Sequence, residues 1–478
     1  MNFLRDRSRL LLLVALALGL VVRLGILVST SHLGTPITDE QQYARLAGSI
    51  VAGDGFAWGP GEPTSIRPPL YPALVAGVWA IAGTGSLQAV RLVQIALALA
   101  TTGLVYLLGA RLYGPAVGRV GAAVFWLYPS LVFFNVLILT ETLFTLLLVA
   151  FVLLAVMLVQ SPRASVALLC GATLGLAALT RSVLWPLPLV FCSLVGLLIT
   201  VPLTADTTSA VRAPIVRRAA LPLLVLAAYA VVVAPWAIRN TRLQGVTTIV
   251  DTMGGINLRM GNYEYTPEDR MWDAVSLTGT QNWMHGYESP YPGAPVTEGT
   301  KDKWAQRKAV EYMRAHPAQT IRRSFIKLAD FWGLEREFIA GVQRGIYAPP
   351  LWFAALASLC IVGGYILVVI AGVAGLWLSP PRDWRAQIVV LLPLLVILAG
   401  HTLAFGHSRY HIPLIPFLGV YGAALATAQL DSLRALRLTS RATVLGATAT
   451  VTALLAIWIR QVALVDLPRI KALLDHVG

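Results

Sequence analysis

Apolar runs of about 18 to 22 residues recur along the chain from its N-terminal region to residue 460. A run of this length crosses the roughly 30 Å hydrocarbon core of a bilayer as a helix, which satisfies its own backbone hydrogen bonds. The composition agrees, since 57% of the 478 residues are hydrophobic and only 13% are charged. The sequence therefore predicts an all-α polytopic membrane protein.

The apolar runs predict a bundle of about 11 transmembrane helices. The first run contains Arg23 and no small-residue cleavage site follows it, so we expect it to stay uncleaved. Arg91 also lies inside a predicted span, and the sequence indicates no partner for either arginine. The predicted spans are residues 10–31, 87–110, 116–133, 141–159, 164–180, 183–201, 219–237, 351–378, 386–405, 411–428 and 442–460.

Basic residues follow a one-sided pattern. With the N-terminus in the cytoplasm, every cytoplasmic connection carries arginine, as the positive-inside rule predicts. This placement explains much of the net charge of +14, so we predict membrane lipids and no nucleic acid as partners. We expect a multi-pass protein of the cell (plasma) membrane with its N-terminus in the cytoplasm.

The chain divides into four predicted parts. They are an N-terminal transmembrane core (1–237) with a first outer loop (32–86), a long outer loop (238–350), C-terminal helices (351–460) and an outer tail (461–478). The outer connections hold most of the acidic, aromatic and glycine residues. Loops clustered at one end of a rigid scaffold are where sites are built, which predicts an extracytoplasmic site.

The first outer loop contains the most informative motif for a functional site. The segment Thr38-Asp39-Glu40-Gln41 reads as a capping box that opens a short helix from Asp39 to Val51. Asp39 then lies in the first turn, where the helix dipole favours an ionised carboxylate, and shares a face with Tyr43. Plain helix capping is the alternative explanation for the two acids.

Several further segments, read together with this loop, carry a family resemblance. The chain resembles the bacterial branch of the dolichyl-phosphate-mannose protein mannosyltransferase and aminoarabinose transferase family, within the GT-C glycosyltransferases. The resemblance covers about residues 10–420. It rests on Thr38-Asp39-Glu40 with Tyr43, Arg67-Pro68-Pro69-Leu70-Tyr71-Pro72, Leu139-Thr140-Glu141-Thr142-Leu143-Phe144, Ala178-Leu179-Thr180-Arg181, Ala234-Pro235-Trp236-Ala237-Ile238-Arg239-Asn240, and Ser408-Arg409-Tyr410-His411-Ile412-Pro413.

This resemblance implies a GT-C fold and a hexosyl or pentosyl transferase that uses a polyprenyl-phosphate sugar donor. The acceptor would be a hydroxyl or phosphate on a lipid, glycan or protein. By the same resemblance Asp39 is the central catalytic acid and Glu141 a second one, and together they would hold a divalent cation of unknown identity. Glu40 is grouped with them, to order the loop or bind the metal. No nucleotide-binding motif occurs, and no nucleotide cofactor is predicted.

Arginines in these segments are candidates to bind the donor phosphate. They are Arg67, Arg181, Arg239 and Arg409, with Tyr43, Asn240, Tyr410 and His411 as neighbouring substrate-binding candidates. Aminoarabinose transferases carry an acid before the basic residue of the first loop, whereas this chain has Ile66 there. Snorkelling to lipid head groups is the alternative for Arg239 and Arg409, and a buried hydrogen bond is the alternative for His411.

The long outer loop predicts two amphipathic helices, about 301–315 and 318–332. In the second, Arg322, Arg323 and Lys327 are expected to face away from an apolar stripe. Two other functions remain open at this point. A flippase or transporter of lipid-linked sugars would predict internal repeats, and a non-catalytic assembly subunit would make Asp39 replaceable.

Overall fold

All the long regular elements of the structure are helices. This computed structural model describes residues 2–200, 215–268, 270–283, 287, 295–428 and 441–467. The helices within these residues are α1 (Asn2–Ser29), α2 (Thr38–Ala52), α3 (Leu70–Ala82), α4 (Leu87–Tyr113), α5 (Pro115–Leu127), α6 (Pro129–Phe134), α7 (Glu141–Gln160), α8 (Ala164–Ala178), α9 (Leu187–Thr200), α10 (Ile215–Gln244), α11 (Gly254–Gly261), α12 (Glu298–Ala315), α13 (Pro317–Phe331), α14 (Glu337–Gln343), α15 (Leu351–Leu378), α16 (Trp384–Leu403), α17 (Ile415–Thr427) and α18 (Arg441–Gln461).

Eight helices in the described part of the chain are long and apolar enough to cross a bilayer. They coincide with eight of the predicted spans, which confirms an all-α polytopic membrane protein. The three remaining predictions correspond to shorter apolar helices, α5, α8 and α9. The predicted span 116–133 is divided because Tyr128 is extended and Pro129, which cannot continue a helix from within, begins α6.

Helix α2 starts one residue earlier than predicted, and its capping differs. Ile37 is the N-cap residue, so the predicted capping box of Thr38 and Gln41 is wrong. The Glu40 carboxylate accepts a hydrogen bond from the Ile37 backbone N–H at 3.1 Å, which satisfies a donor that the helix leaves unpaired. The helix ends at Gly53, whose φ of 89° is a left-handed conformation that glycine adopts without strain.

The two arginines inside predicted spans have structural partners. Arg91 is fully buried and donates to the backbone carbonyls of Thr30 and Val136 at 3.0 and 2.8 Å. Arg23 donates to the Asn135 side chain at 2.8 Å. Both guanidinium groups therefore tie the helices to the connections at the end of the bundle where α2 and α7 begin, and no water-filled cavity is required to explain them.

Helices α15 and α17 pack at close range. A Cβ atom on Gly375 of α15 would lie 2.1 Å from the backbone oxygen of Tyr421 in α17, so only glycine permits this approach. Small residues serve the same purpose at helix contacts in membranes generally. The close contact fixes α17 and the tight helical turn Ser408–Leu414 that precedes it.

The predicted amphipathic helices are present as α12 and α13, and in α13 two of the predicted cations lie on the buried side, opposite Ile321 and Phe325. Arg323 and Lys327 are buried, whereas Ile321 and Phe325 are 60% and 69% exposed. The ammonium group of Lys327 donates to the Asn262 side chain and to the Leu403 carbonyl, at 2.9 Å each. The cations thus satisfy oxygen atoms of the protein, and the apolar face is left for the lipid interface.

Candidate active site

Asp39 lies between two guanidinium groups in the first turn of α2. Its Oδ1 accepts from Arg67 Nη2 at 2.5 Å, and its Oδ2 accepts from Arg409 Nη1 at 2.9 Å. The Asp39 side chain is 27% exposed, so the carboxylate is held on both sides and still reachable from outside. Arg67 comes from the segment before α3 and Arg409 from the turn before α17.

Glu141, the first residue of α7, is fully buried and completes the arrangement. Arg409 Nε and Nη2 donate to its two oxygens, and Arg181 Nη1 lies 3.3 Å from Oε1. Asp39, Arg67, Glu141, Arg181 and Arg409 thus form one connected set, which we call the charge network. It contains three cations and two carboxylates, so it carries one net positive charge and is suited to bind an anion.

The charge network keeps Asp39 ionised. Burial by itself would raise the pKa of Asp39, but the charges of Arg409 and Arg67 outweigh burial and lower the pKa to about 2. An ionised carboxylate accepts hydrogen bonds only, so it can orient an incoming hydroxyl group and take its proton.

Two predicted aromatic residues support the network. The Arg67 guanidinium lies 5.5 Å from the centre of the buried Tyr43 ring, and that of Arg181 lies 5.2 Å from the Tyr410 ring. Tyr410 in turn stacks on His401 at 4.0 Å. These contacts are within the range of cation–π attraction and limit the directions that the two arginines can take.

The structure does not support the predicted metal site at Asp39 and Glu141. The Arg409 guanidinium bonds to both carboxylates and supplies the positive charge that a divalent cation would bring to this pair. Within the part of the chain that the structure describes, no group of three or more His, Cys, Asp or Glu residues is arranged to hold a metal.

Glu40 holds two backbone segments together. Its side chain is fully buried and accepts from the backbone N–H of Ile138 at 2.8 Å, in addition to that of Ile37. Burial raises the pKa of Glu40, although these hydrogen bonds act in the other direction. The carboxylate ties α2 to the segment before α7, which brings Asp39 and Glu141 to the same place.

Arg239 and Asn240 are not brought to the charge network. Arg239 donates to the carbonyls of Thr64 and Phe56 at 2.6 and 2.9 Å, and Asn240 accepts from the Ser65 hydroxyl at 2.9 Å. These bonds hold the end of the first loop in place just before Arg67. The geometry therefore favours a loop-holding role over the predicted phosphate contact.

His411 is fully buried two residues after Arg409, beside an acid that the sequence reasoning missed. Its Nε2 lies 2.9 Å from Glu335 Oε1, and its Nδ1 lies 2.6 Å from the Phe331 carbonyl oxygen. An acceptor oxygen faces each ring nitrogen, so the ring is held from both sides. Glu335 also accepts from Tyr128 at 2.7 Å. Nothing in the short segment between α13 and α14 marks Glu335 as buried.

A cavity of about 630 Å³ adjoins Arg409 through His407 and Ser408. Its size is typical of a site for a small ligand. Arg344 and Arg460 contribute to its wall, and so do the apolar side chains of Ile457 and Leu464. Leu464 is 64% exposed at the end of an apolar span, and the acids Glu268, Asp330 and Glu337 also line the cavity, so its wall combines charges of both signs with apolar side chains.

A second cleft, of about 510 Å³, lies along the exposed face of α2, and we call it the α2 cleft. Polar side chains and one indole ring make its whole wall. They are Thr38, Gln41, Gln42, Arg45, Trp58 and Glu62.

Part of the chain matches a known family. Residues 66–238 match the sequence profile of the dolichyl-phosphate-mannose-protein mannosyltransferases. This segment contains Arg67, Glu141 and Arg181, while Asp39 and Arg409 lie outside it. Over these residues the match agrees with the resemblance inferred from the sequence motifs. A comparison with curated proteins gave no match.

A comparison with solved structures gave matches that include two proteins. ArnT from Cupriavidus metallidurans, in the apo state, is 17% identical over 88% of this chain and 78% of its own, with a TM-score of 0.39. The same protein bound to undecaprenyl phosphate gives a TM-score of 0.38 at 17% identity, over 88% and 79%. The oligosaccharyltransferase AglB from Archaeoglobus fulgidus, in complex with an inhibitory peptide and a dolichol-phosphate, is 14% identical over 96% and 55%, with a TM-score of 0.46.

Proposed function

We propose that this protein transfers a sugar from a polyprenyl phosphate to an acceptor hydroxyl, and that Asp39 receives the acceptor at the outer face of the membrane. The observation that carries the proposal is the position of Asp39, a reachable ionised carboxylate held between Arg67 and Arg409. The match of residues 66–238 to a mannosyltransferase family supports the same reaction class.

The reaction is a single displacement. The acceptor oxygen attacks the anomeric carbon of the sugar while the bond from that carbon to the phosphate oxygen breaks, and the polyprenyl phosphate leaves with the bonding electrons. The hydroxyl proton passes to Asp39 Oδ and from there to solvent or to the leaving phosphate. One displacement inverts the configuration at the anomeric carbon.

The arginines of the charge network would stabilise the leaving phosphate. Negative charge grows on the phosphate as the bond breaks, and fixed guanidinium donors stabilise that charge more than they stabilise the ground state. A bound phosphate also competes with Asp39 for Arg67 and Arg409. Since those two cations lower the pKa of Asp39, drawing them toward phosphate makes Asp39 a stronger base when the donor is present.

The larger cavity suits the donor. A polyprenyl phosphate has an anionic head and an apolar tail, and this cavity offers Arg344 and Arg460 together with the lipid-facing Ile457 and Leu464. It reaches the charge network through His407 and Ser408, next to Arg409. The basic connections at the opposite ends of the spans support an outer-face site.

Purified full-length protein tests the proposal with labelled polyprenyl monophosphates that carry mannose, glucose, galactose, arabinose or aminoarabinose. We expect the wild type to transfer sugar from one of these donors, and Asp39→Asn to lose activity by about 10³-fold or more at an unchanged protein level. Glu311→Gln is the matched control, because Glu311 is an exposed acid in α12 that pairs with Lys308.

Two results would count against this function. Full activity of Asp39→Asn would show that another group receives the acceptor. Movement of intact lipid-linked sugar across vesicles by both proteins, without transfer to any acceptor, would point to a flippase.

A further inference from the structure

The α2 cleft is the one of the two cavities that has no lipid-facing wall. Its residues are polar apart from Trp58, whereas the larger cavity is bordered by Ile457 and Leu464. The two cavities adjoin the charge network at different points, the α2 cleft through Gln42 and the larger cavity through His407. A reaction between two substrates needs two such approaches, and they differ in chemistry here.

One wall of the α2 cleft is preorganised. The segment from Trp58 to Glu62 is a tight turn in which the Trp58 N–H donates to the Glu62 carbonyl at 3.0 Å. Arg45 Nε donates to the Trp58 carbonyl at 2.5 Å, and the Arg45 guanidinium lies 5.6 Å from the Trp58 ring centre. The indole and the guanidinium therefore hold a fixed relation to α2 before any ligand arrives.

The other wall presents unused hydrogen-bonding groups. Within the described residues, the side chains of Thr38 and Gln41 have no hydrogen-bond partner. The carboxylate of Glu62 lies 3.9 Å from Arg45, too far for a hydrogen bond. Hydroxyl, amide, carboxylate and guanidinium groups beside one aromatic ring can receive paired hydroxyl groups while the ring packs on C–H bonds.

The α2 cleft leads to the candidate base. Gln42 Oε1 accepts from Arg67 Nε at 2.8 Å, and the same guanidinium donates to Asp39. Thr38, at the edge of the cleft, is the residue before Asp39 in the chain. A ligand that fills the cleft therefore lies next to Gln42, which bonds the same Arg67 guanidinium that bonds Asp39.

We propose that the α2 cleft binds the acceptor and that this acceptor is a carbohydrate. The proposal rests on the proposed transferase function and names its second substrate. A sugar ring offers C–H faces for Trp58 and neighbouring hydroxyl groups for Gln41, Arg45 and Glu62. A lipid acceptor would need the apolar wall that the cleft lacks, and an extended peptide would need backbone partners along a groove or a sheet edge.

Binding tests the proposal without any donor. Full-length protein in detergent is titrated with disaccharides of mannose, glucose, galactose, arabinose and N-acetylglucosamine, and contact is read by saturation-transfer NMR. We expect wild type to bind one of them, and Trp58→Ala and Gln41→Ala each to weaken binding by about tenfold. Trp384→Ala is the matched control, since Trp384 is the first residue of α16, is 47% exposed and lines neither cavity.

The outcomes separate the two proposals. Gln41 is an exposed helix residue, so a folding defect cannot explain lost binding in its variant. No binding of any disaccharide by the wild type, or equal binding by wild type, Trp58→Ala and Gln41→Ala, overturns the carbohydrate cleft. Disaccharide binding with the expected losses supports the cleft even where no sugar transfer is seen, and that pattern would count against the transferase alone.

Transfer kinetics give the second measurement. With the disaccharide that binds as acceptor, we expect Trp58→Ala to raise the acceptor KM by about tenfold with kcat and donor KM within about twofold. A raised donor KM with an unchanged acceptor KM would assign the α2 cleft to the donor. Transfer to a serine-containing peptide or to a lipid, but to no disaccharide, would overturn the carbohydrate acceptor while leaving the proposed transferase intact.

Discussion

Arg409 Nη1 lies 2.9 Å from Asp39 Oδ2, although 370 positions separate the two residues in the chain. The same guanidinium binds Glu141, so the start of α2, the start of α7 and the turn before α17 meet at one arginine. The planar guanidinium has donors on separate nitrogens, so it bonds two carboxylates at once in a fixed geometry.

This relationship predicts that Arg409→Lys is not a conservative change. The ammonium group has all its donors on one nitrogen and cannot reproduce the separate guanidinium nitrogens that bond Asp39 and Glu141, so at least one of the two carboxylates is held less well. We expect transfer activity to fall by about 10²-fold or more, with a lower melting temperature. Arg111→Lys, at the exposed end of α4 where the guanidinium donates to Gln160 at 2.8 Å, is the control and should change neither. Near-normal activity of Arg409→Lys would show that activity does not depend on the contact of Arg409 with both carboxylates.

The low pKa of Asp39 predicts a pH profile. With a pKa of about 2 in the protein without donor, Asp39 stays ionised above about pH 3 and gives no acidic limb in kcat/KM for the donor. Because Arg67 lowers this pKa, Arg67→Gln should raise it and move an acidic limb upward. Initial rates between pH 4 and 8 for both proteins check this. An acidic limb near pH 6 in the wild type would contradict the low pKa of Asp39.

The lowered pKa of Asp39 also contributes to the stability of the folded protein. A carboxyl group whose pKa is lower in the folded state stabilises that state above its unfolded pKa of 3.8, and this contribution is lost as the pH falls through about 2. At neutral pH it is fully present, so Asp39→Asn should lower the melting temperature as well as activity. The control Glu311→Gln should leave the melting temperature unchanged, since it alters an exposed pair.

Glu335 and His411 predict an effect on activity without contact to substrate. Their buried pair holds the turn that carries Arg409, so Glu335→Gln should lower kcat by about tenfold and leave the donor KM nearly unchanged. His411→Asn should have a similar effect. In the double variant the losses should not add, because each change breaks the same contact. Additive losses would show that the two residues act separately.

Lys327 predicts a rise in stability with pH. Burial, aided by the charge of Arg323, lowers its pKa from 10.5 to about 7. Between these values the unfolded state binds more protons than the folded state, so the free energy of unfolding increases with pH. We expect the melting temperature of the wild type to rise between pH 7 and 9 relative to that of Lys327→Met. An identical pH dependence of the two proteins would refute this explanation.

The positions of the membrane spans could be predicted from the sequence, because the length and hydrophobicity of each segment determine whether it spans a bilayer. The predicted span 351–378 matches α15, and the helices of the long loop were found within a few residues. The features that were not predicted have local causes too. Pro129 divides one span, and the polar side of α13 turned inward because Asn262 and Leu403 supply acceptors that no periodicity reveals.

The sequence identified the residues of the charge network, but it did not reveal the role of each residue. Asp39, Glu141 and the arginines at 67, 181 and 409 were all singled out, yet their mutual pairing depends on how distant loops meet. Glu40 and Arg239 looked equally functional in sequence, because an acid at a helix start or an arginine at a span end has the same appearance whether it binds substrate or backbone. Only their hydrogen-bond partners separate the two cases.

The buried Glu141 has a further consequence during synthesis. Its pairs come from Arg181 and Arg409, and the second is made 268 residues after Glu141 itself. Until Arg409 has been synthesised, the Glu141 carboxylate in α7 therefore has one of its two arginine partners, Arg181. We expect nascent chains that stop before residue 409 to be held by membrane quality control, and release of the finished protein to depend on that late arginine.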